Sequence, residues 1–212
     1  MTIPQSDKYA LGQRILGDDF ISPGYNVTKC GFRYNIAHRT AVDKSFPRAK
    51  DLEWCQKHKL IVMTGPPEPM SVLDLLELED SRRDPQSLWY THFKFAYKDK
   101  VSPGWFAYFK EPRANSFGMT QIEQEELRQY LNRGQKYPIV RANAAELLWC
   151  LLVYKKVRNI YLLPDCSVRT SSKLPSGGCM SFGYYSSDGM RAVEYSDDDY
   201  YPHLGSLYVQ KF

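Results

Sequence analysis

A chain of 212 residues that is 43% apolar and 14% aromatic can bury a sizeable core, which excludes a disordered tail and fits one domain, or one domain with an N-terminal extension. The net charge of +4 is unevenly placed: residues 1–173 hold 26 basic and 19 acidic side chains, residues 174–212 hold 2 and 5, and no Lys/Arg run exceeds two, which argues against nucleic acid. No run of 18 apolar residues occurs and the first eight residues lack a signal-type apolar stretch, so no membrane segment and a cytoplasmic or virion-associated setting are expected.

In chain order, residues 1–27 read as irregular, with a weak helix at 10–15. Period-two apolar residues at Cys30, Phe32, Tyr34 and Ile36 predict a strand over 28–37. Residues 48–59 predict a helix with Ser45 at the cap and Pro47 in its first turn. A short buried strand over 60–63 follows, cut off by a proline loop, and Ser71 caps a helix over 72–78. A charged loop is expected at 80–87. The alternation of Trp89, Thr91, Phe93, Phe95 and Tyr97 predicts a strand over 88–97, forming a hairpin with a second aromatic strand at 104–110.

Two helices then announce their starts. Thr120 with Glu123 and Asn143 with Glu146 are capping boxes, in which each side chain satisfies the other residue's backbone N–H. In the first helix, 121–132, Ile122, Leu127, Tyr130 and Leu131 give an apolar side that stops at Gly134. The second, 144–156, is apolar all round from Leu147 to Val153 and should be the buried helix of the domain. Short strands are expected at 161–163, 168–171, 180–184, 190–193 and 207–212.

Residues 176–208 have a composition of their own. Of these 33 residues, 21 are Ser, Tyr, Asp or Gly, with no lysine and one arginine, Arg191. Tyrosine gives rigid amphipathic contact at low entropy cost, and Ser, Gly and Asp add small polar contacts, so the stretch reads as a recognition surface.

The run Lys136-Tyr137-Pro138 through Ala144-Ala145-Glu146-Leu147-Leu148, then Val168-Arg169-Thr170-Ser171-Ser172, and the terminal Leu204-Gly205-Ser206-Leu207-Tyr208-Val209-Gln210-Lys211-Phe212 resemble the C-terminal half of prokaryotic and viral proteins with the C-type lectin fold. Within that group the chain looks most like the variable proteins of diversity-generating retroelements. The resemblance implies an α+β class, with helices packed on short twisted antiparallel strands and the terminal strand central. It places residues 1–87 as an N-terminal extension or supporting part of the fold and 88–212 as the ligand-binding domain. It also implies adenine-directed variation, yielding Tyr, Ser, Asp, Gly, His, Cys, Ala and Arg, at Cys179 and at a ligand-binding set: Ser181, Tyr184, Tyr185, Arg191, Tyr195, Ser196, Asp198, Asp199, Tyr200, Tyr201, His203 and Ser206. The expected job is non-enzymatic capture of a macromolecule, with protein as the favoured class and an oligomer allowed.

The sequence departs from calcium-dependent lectins. Glu111-Pro112-Arg113 puts a cation where a carbonyl ligand should stand, and three adjacent residues Asp197-Asp198-Asp199 cannot easily converge on one ion, so neither metal nor cofactor is expected. Cys30, Cys55, Cys150, Cys166 and Cys179 have no disulfide or zinc spacing and are expected to be reduced thiols. The formylglycine-generating enzymes share the lectin-type fold, so Cys166 with Cys179 is kept as an oxidoreductase alternative, and a structural subunit of a virus particle as another. Arg169 is expected to pair with Asp188 or Asp199 and brace the surface, with contact to ligand as the alternative.

Overall fold

The computed structural model describes residues 5–78, 88–134 and 138–212. The expected charged loop at 80–87 and Lys136-Tyr137 of the resemblance motif lie outside them. The described order is α1 (Gln5–Leu16), β1 (Phe20–Ile21), α2 (Pro23–Cys30), α3 (Ile36–Lys44), α4 (Ala49–Lys57), β2 (Leu60–Thr64), β3 (Met70–Ser71), α5 (Val72–Leu76), α6 (Lys94–Lys98), β4 (Lys100–Val101), β5 (Trp105–Phe109), α7 (Gln121–Leu131), β6 (Ile139–Arg141), α8 (Ala144–Arg158), β7 (Ser167–Lys173), β8 (Cys179–Ser186), β9 (Gly189–Tyr195), β10 (Leu204–Ser206) and β11 (Tyr208–Lys211). The protein is of mixed α and β class.

Two main sheets carry the fold. The larger has the order β1-β2-β5-β11-β6 and the smaller β10-β7-β8-β9, with β3-β4 as a separate short pair. The terminal strand β11 is interior, antiparallel to β5 on one side and β6 on the other. The five-stranded sheet is buried on both faces, and the pleat divides its side chains between two cores. Ile61, Met63, Phe106, Tyr108 and Val209 join α8 in one core, whereas Leu60, Val62, Trp105, Ala107 and Tyr208 join Leu52 and Cys55 of α4 in the other. Residues on both sides of position 87 therefore share one sheet and both cores.

Helix α8 explains its own composition by its place. It packs against α2 and α5 and against β7 and β8 of the smaller sheet, and residues 144–154 are all buried, so no polar stripe is needed. Its cap is the expected one: Asn143 accepts from the Glu146 N–H at 2.8 Å, and the Glu146 carboxylate accepts from the Asn143 N–H at 3.1 Å. Trp149 donates its indole N–H to the Thr64 carbonyl at 2.9 Å, tying the helix to the five-stranded sheet. Thr120 and Glu123 form the second expected box, and Ser71 caps α5.

Several expectations are corrected. Residues 28–37 are not a strand: Gly31 in the left-handed region (φ 76°) ends α2, and the Asn35 side chain accepts from the His38 N–H to start α3. These local hydrogen bonds win over a short alternation, and Ile36 is left 85% exposed. Residues 88–97 hold a turn and α6, with Tyr90 and Phe95 buried and the Tyr90 ring edge-on to Phe182 at 5.5 Å. The expected hairpin is absent, because β5 pairs with β2 and β11. Helix α4 starts at Arg48 and not at Ser45: the Asp51 carboxylate accepts from the Arg48 N–H at 3.3 Å and from its guanidinium Nε at 2.8 Å. Residues 5–16 form a full helix where only a weak one at 10–15 was expected, 23–27 are helical where irregular chain was expected, and 161–163 form no strand.

Candidate functional site

The smaller sheet has one apolar and one polar face. Val168, Met180 and Phe182 enter the core beneath α8. Opposite them, Ser206, Arg169, Ser181 and Val193 form a row across the four strands, since the ladders pair Ser206 with Arg169, Arg169 with Ser181, and Ser181 with Val193. This second face is roofed by the chain at 113–124 and by the loop at 196–203, which are stitched together by Gln121 N–H to the Asp197 carbonyl (2.9 Å) and Gly118 N–H to the Tyr201 carbonyl (3.1 Å).

A bulge in β8 sorts the first tyrosine pair. The register with β9 shifts between Gly183 and Ser186, and Tyr184 sits in the left-handed region at φ 48°. Its N–H donates to the Cys166 carbonyl and that of Tyr185 to the Leu163 carbonyl. Strict alternation would put residue 184 in the core after Met180 and Phe182; the extra residue puts Tyr185 there instead, edge-on to Tyr161 at 4.8 Å. Tyr184 turns outward to His203 (5.8 Å between rings) and lies under the Arg191 guanidinium (5.6 Å). Gly183 makes the close approach possible, because a Cβ there would lie 2.0 Å from the Cys166 carbonyl oxygen.

The rest of the aromatic cluster comes from β9 and the following loop. Tyr201 stacks on His203 at 5.5 Å and tilts against Tyr195 at 5.7 Å, and the Tyr195 hydroxyl lies 3.4 Å from His203 Nε2. Burial, then the neighbouring Tyr184, raises the Tyr195 pKa above the ordinary phenol value. Tyr200, the loop's other tyrosine, is 69% exposed. Beside the cluster an open groove of about 710 Å³ is lined by Trp89, Tyr184, Asp188, Met190 and Arg191, with the Trp89 indole N–H donating to the Ala192 carbonyl at its wall.

Of the twelve expected ligand residues, Arg191, Ser196, Asp198, Tyr200 and Tyr201 are exposed, and Tyr184, Asp199 and His203 are partly so. Ser181, Tyr185, Tyr195 and Ser206 are buried and cannot present a side-chain surface, which corrects the expectation for those four. Ser206 shows why: its hydroxyl donates to Gln124 Oε1 at 2.6 Å and its N–H to Ser116 Oγ at 2.9 Å, which joins β10 to α7.

The sequence reading of α7 is also corrected. Gln124 faces the interior, its amide donating to the Ser116 carbonyl at 2.9 Å, while Ile122 and Tyr130 are each 64% exposed. Ile122 is thus an exposed apolar side chain at the head of the helix that Gln121 N–H ties to the loop at 196–203. An isoleucine next to a capping box, out of phase with the helix's buried side, was the signal available for it.

The acidic run does not converge. Asp197 takes the Lys173 ammonium at 2.6 Å, Asp199 accepts the Ser196 N–H at 2.7 Å within its own turn, and Asp198 faces solvent. Among the described residues no group of three or more His, Cys, Asp or Glu could hold a metal ion. Arg169 braces the loop, but through backbone: its guanidinium donates to the Met119 carbonyl (3.1 Å) and to the Asp199 carbonyl, and among the described residues it hydrogen-bonds no carboxylate.

The two late cysteines stand apart. Cys166 meets β8 at Tyr184, and Cys179 lies five residues up that strand, about 16 Å away at roughly 3.3 Å per residue. That is well beyond the reach of a thiol pair. Burial pushes the Cys166 thiol up to about 11, with Asp165 and Glu111 adding to it, and burial raises Cys179 against the opposing pull of Lys173. Both are therefore protonated near neutral pH, the unreactive form. No described helix is long and apolar enough to cross a membrane. No protein-family model, curated protein or solved structure matches the chain.

Proposed function

We propose that the protein is a non-enzymatic binding protein that captures another protein on the surface formed by Tyr184, Arg191, Asp198, Tyr200, Tyr201 and His203, extended by Ile122. The observation that carries this reading is the exposed aromatic cluster held on a hydrogen-bonded frame: Tyr200 and Tyr201 project from a loop whose backbone is tied to α7 and to Arg169. Large aromatic side chains with few rotatable bonds, presented on a fixed backbone, are what protein interfaces use as anchors. The acidic balance of residues 174–212, with five acidic and two basic side chains, favours a partner whose contact surface is basic.

We further infer a C-type-lectin-type scaffold diversified by a retroelement. Support comes from a buried helix followed by antiparallel strands, an interior terminal strand, and adenine-codon residue types crowded into the exposed positions. The test is to sequence the genome on either side of the gene. A reverse-transcriptase gene with a near-copy of the segment encoding residues 176–208, differing only at adenines, is expected; its absence overturns the diversification. Binding is tested separately by crosslinking the chain in its source organism. A partner captured by the parent and lost in Tyr200→Ala with Tyr201→Ala is expected, and capture unchanged by both substitutions overturns the assigned surface.

A further inference from the structure

The polar face of the smaller sheet contains buried donors without acceptors. Arg169 is 1% exposed, and while its terminal nitrogens donate to two carbonyls, its Nε has no hydrogen-bond partner among the described residues. Nε and Nη2 of Arg141 are buried and unpartnered in the same sense, as is the hydroxyl of Ser181, which lies directly across the ladder from Arg169. The strands bring the two arginines into one neighbourhood: Ser171 N–H, two residues on from Arg169, donates at 2.9 Å to the carbonyl of Ala142, the residue after Arg141, and the charge of Arg141 acts on Arg169.

The carboxylates around them are engaged elsewhere. Glu125 accepts both oxygens' worth of hydrogen bonds from Arg128 Nε, at 3.0 and 2.9 Å, Asp197 is taken by Lys173 at 2.6 Å, and Glu146 by Lys211 at 2.5 Å. The charges of Glu125 on Arg141 and of Asp197 and Asp199 on Arg169 offset part of the cost of burying two guanidiniums, but each buried N–H left without an acceptor among the described residues still adds a desolvation cost. Burial lowers the pKa of Arg169, with the like charge of Arg141 adding to it and Cys179, Asp199 and Asp197 opposing it.

We propose that Arg141 and Arg169, with Ser181 beside them, bind a small oxyanion such as sulfate, phosphate or a carboxylate. Guanidinium N–H groups form the paired, charge-assisted hydrogen bonds that such oxygens accept. Arg141 is only partly buried, which gives the anion a route in. Because Arg169 also holds the Asp199 carbonyl, an anion there fixes the base of the loop that presents Tyr200 and Tyr201. The site stands independently of what those tyrosines bind.

The experiment is a thermal titration of the full chain with sodium sulfate and sodium phosphate against sodium chloride at matched ionic strength, with equilibrium dialysis of labelled sulfate. A saturable rise in midpoint of about 3–5 °C at ten times the dissociation constant is expected. One sulfate per chain should be bound. Arg141→Gln should abolish both signals. Lys59→Ala with Arg113→Ala should retain them, since those residues line a separate basic groove of about 490 Å³. A rise that is linear and unsaturated is the general salting effect of sulfate and overturns the site. So does a rise that chloride reproduces, that Arg141→Gln keeps, or that the groove variant loses. Should Arg141→Gln fail to fold, dialysis of the parent decides: no saturable sulfate overturns the proposal. Competition by acetate assigns the site to carboxylates, and resistance to acetate assigns it to tetrahedral anions.

Discussion

The tyrosine pairs Tyr184-Tyr185 and Tyr200-Tyr201 have the same composition and opposite fates. The first lies on a strand, where successive side chains must point to opposite faces, so one member is buried whatever the identity of the two. The bulge decides which: Tyr185 enters the core and Tyr184 stays outside. The second pair lies in a loop fixed by backbone hydrogen bonds, and no pleat forces either ring inward. A tyrosine-rich segment therefore exposes one ring of a pair while it runs in the sheet, with the bulge selecting which, and can expose both where the chain leaves the sheet.

The largest effect should come from removing the device that sets the first pair. Gly183→Ala drives a Cβ to 2.0 Å from the Cys166 carbonyl oxygen. A loss of about 3 kcal/mol or more, up to failure to fold, is expected by denaturant unfolding. Retention of parental stability would show that β7 and β8 do not approach there as described. Tyr185→Ala should cost about 3 kcal/mol, seen as a fall of roughly 6–12 °C in thermal midpoint. Tyr195→Ala, also buried, should fall in the same direction.

A smaller effect is expected from alkali. The thiols of Cys30 and Cys166 are raised by burial from 9.0 to about 11. In the unfolded chain these thiols ionise near 9 while the folded protein still holds their protons. Their contribution is therefore complete below pH 9 and is lost as pH rises toward 11. Unfolding followed from pH 8 to 11 should show stability falling across that window, and Cys166→Ala should flatten part of the fall. A stability that stays level across the window would mean that these thiols are solvated.

The smallest change in stability belongs to the second pair. Tyr200→Ala should shift folding stability by less than about 0.5 kcal/mol, the usual range for a surface substitution away from structural features. It is also the substitution expected to weaken partner binding most for its structural cost. A midpoint drop in Tyr200→Ala as large as that of Tyr185→Ala would erase the difference between the pairs.

Elements defined by local hydrogen-bond chemistry or by long apolar runs were legible in the sequence. The boxes at Thr120 with Glu123 and Asn143 with Glu146, the Ser71 cap, the buried α8, and the strands β2, β5, β7, β8 and β9 are all readable because their signals lie within a few residues. The same locality misled at 28–37 and 88–97. There, period-two aromatics satisfy a strand template as well as they satisfy turns and helices that pack around Tyr34, Tyr90 and Phe95. What only tertiary structure decided was facing. Whether Ile122 or Gln124 of α7 is buried depends on Ser116 and Ser206, the latter more than eighty residues away, and whether Tyr184 or Tyr185 is buried depends on the approach of Cys166 to Gly183. Composition chose the kinds of residue at the candidate surface; contacts between distant segments chose which of them reach solvent.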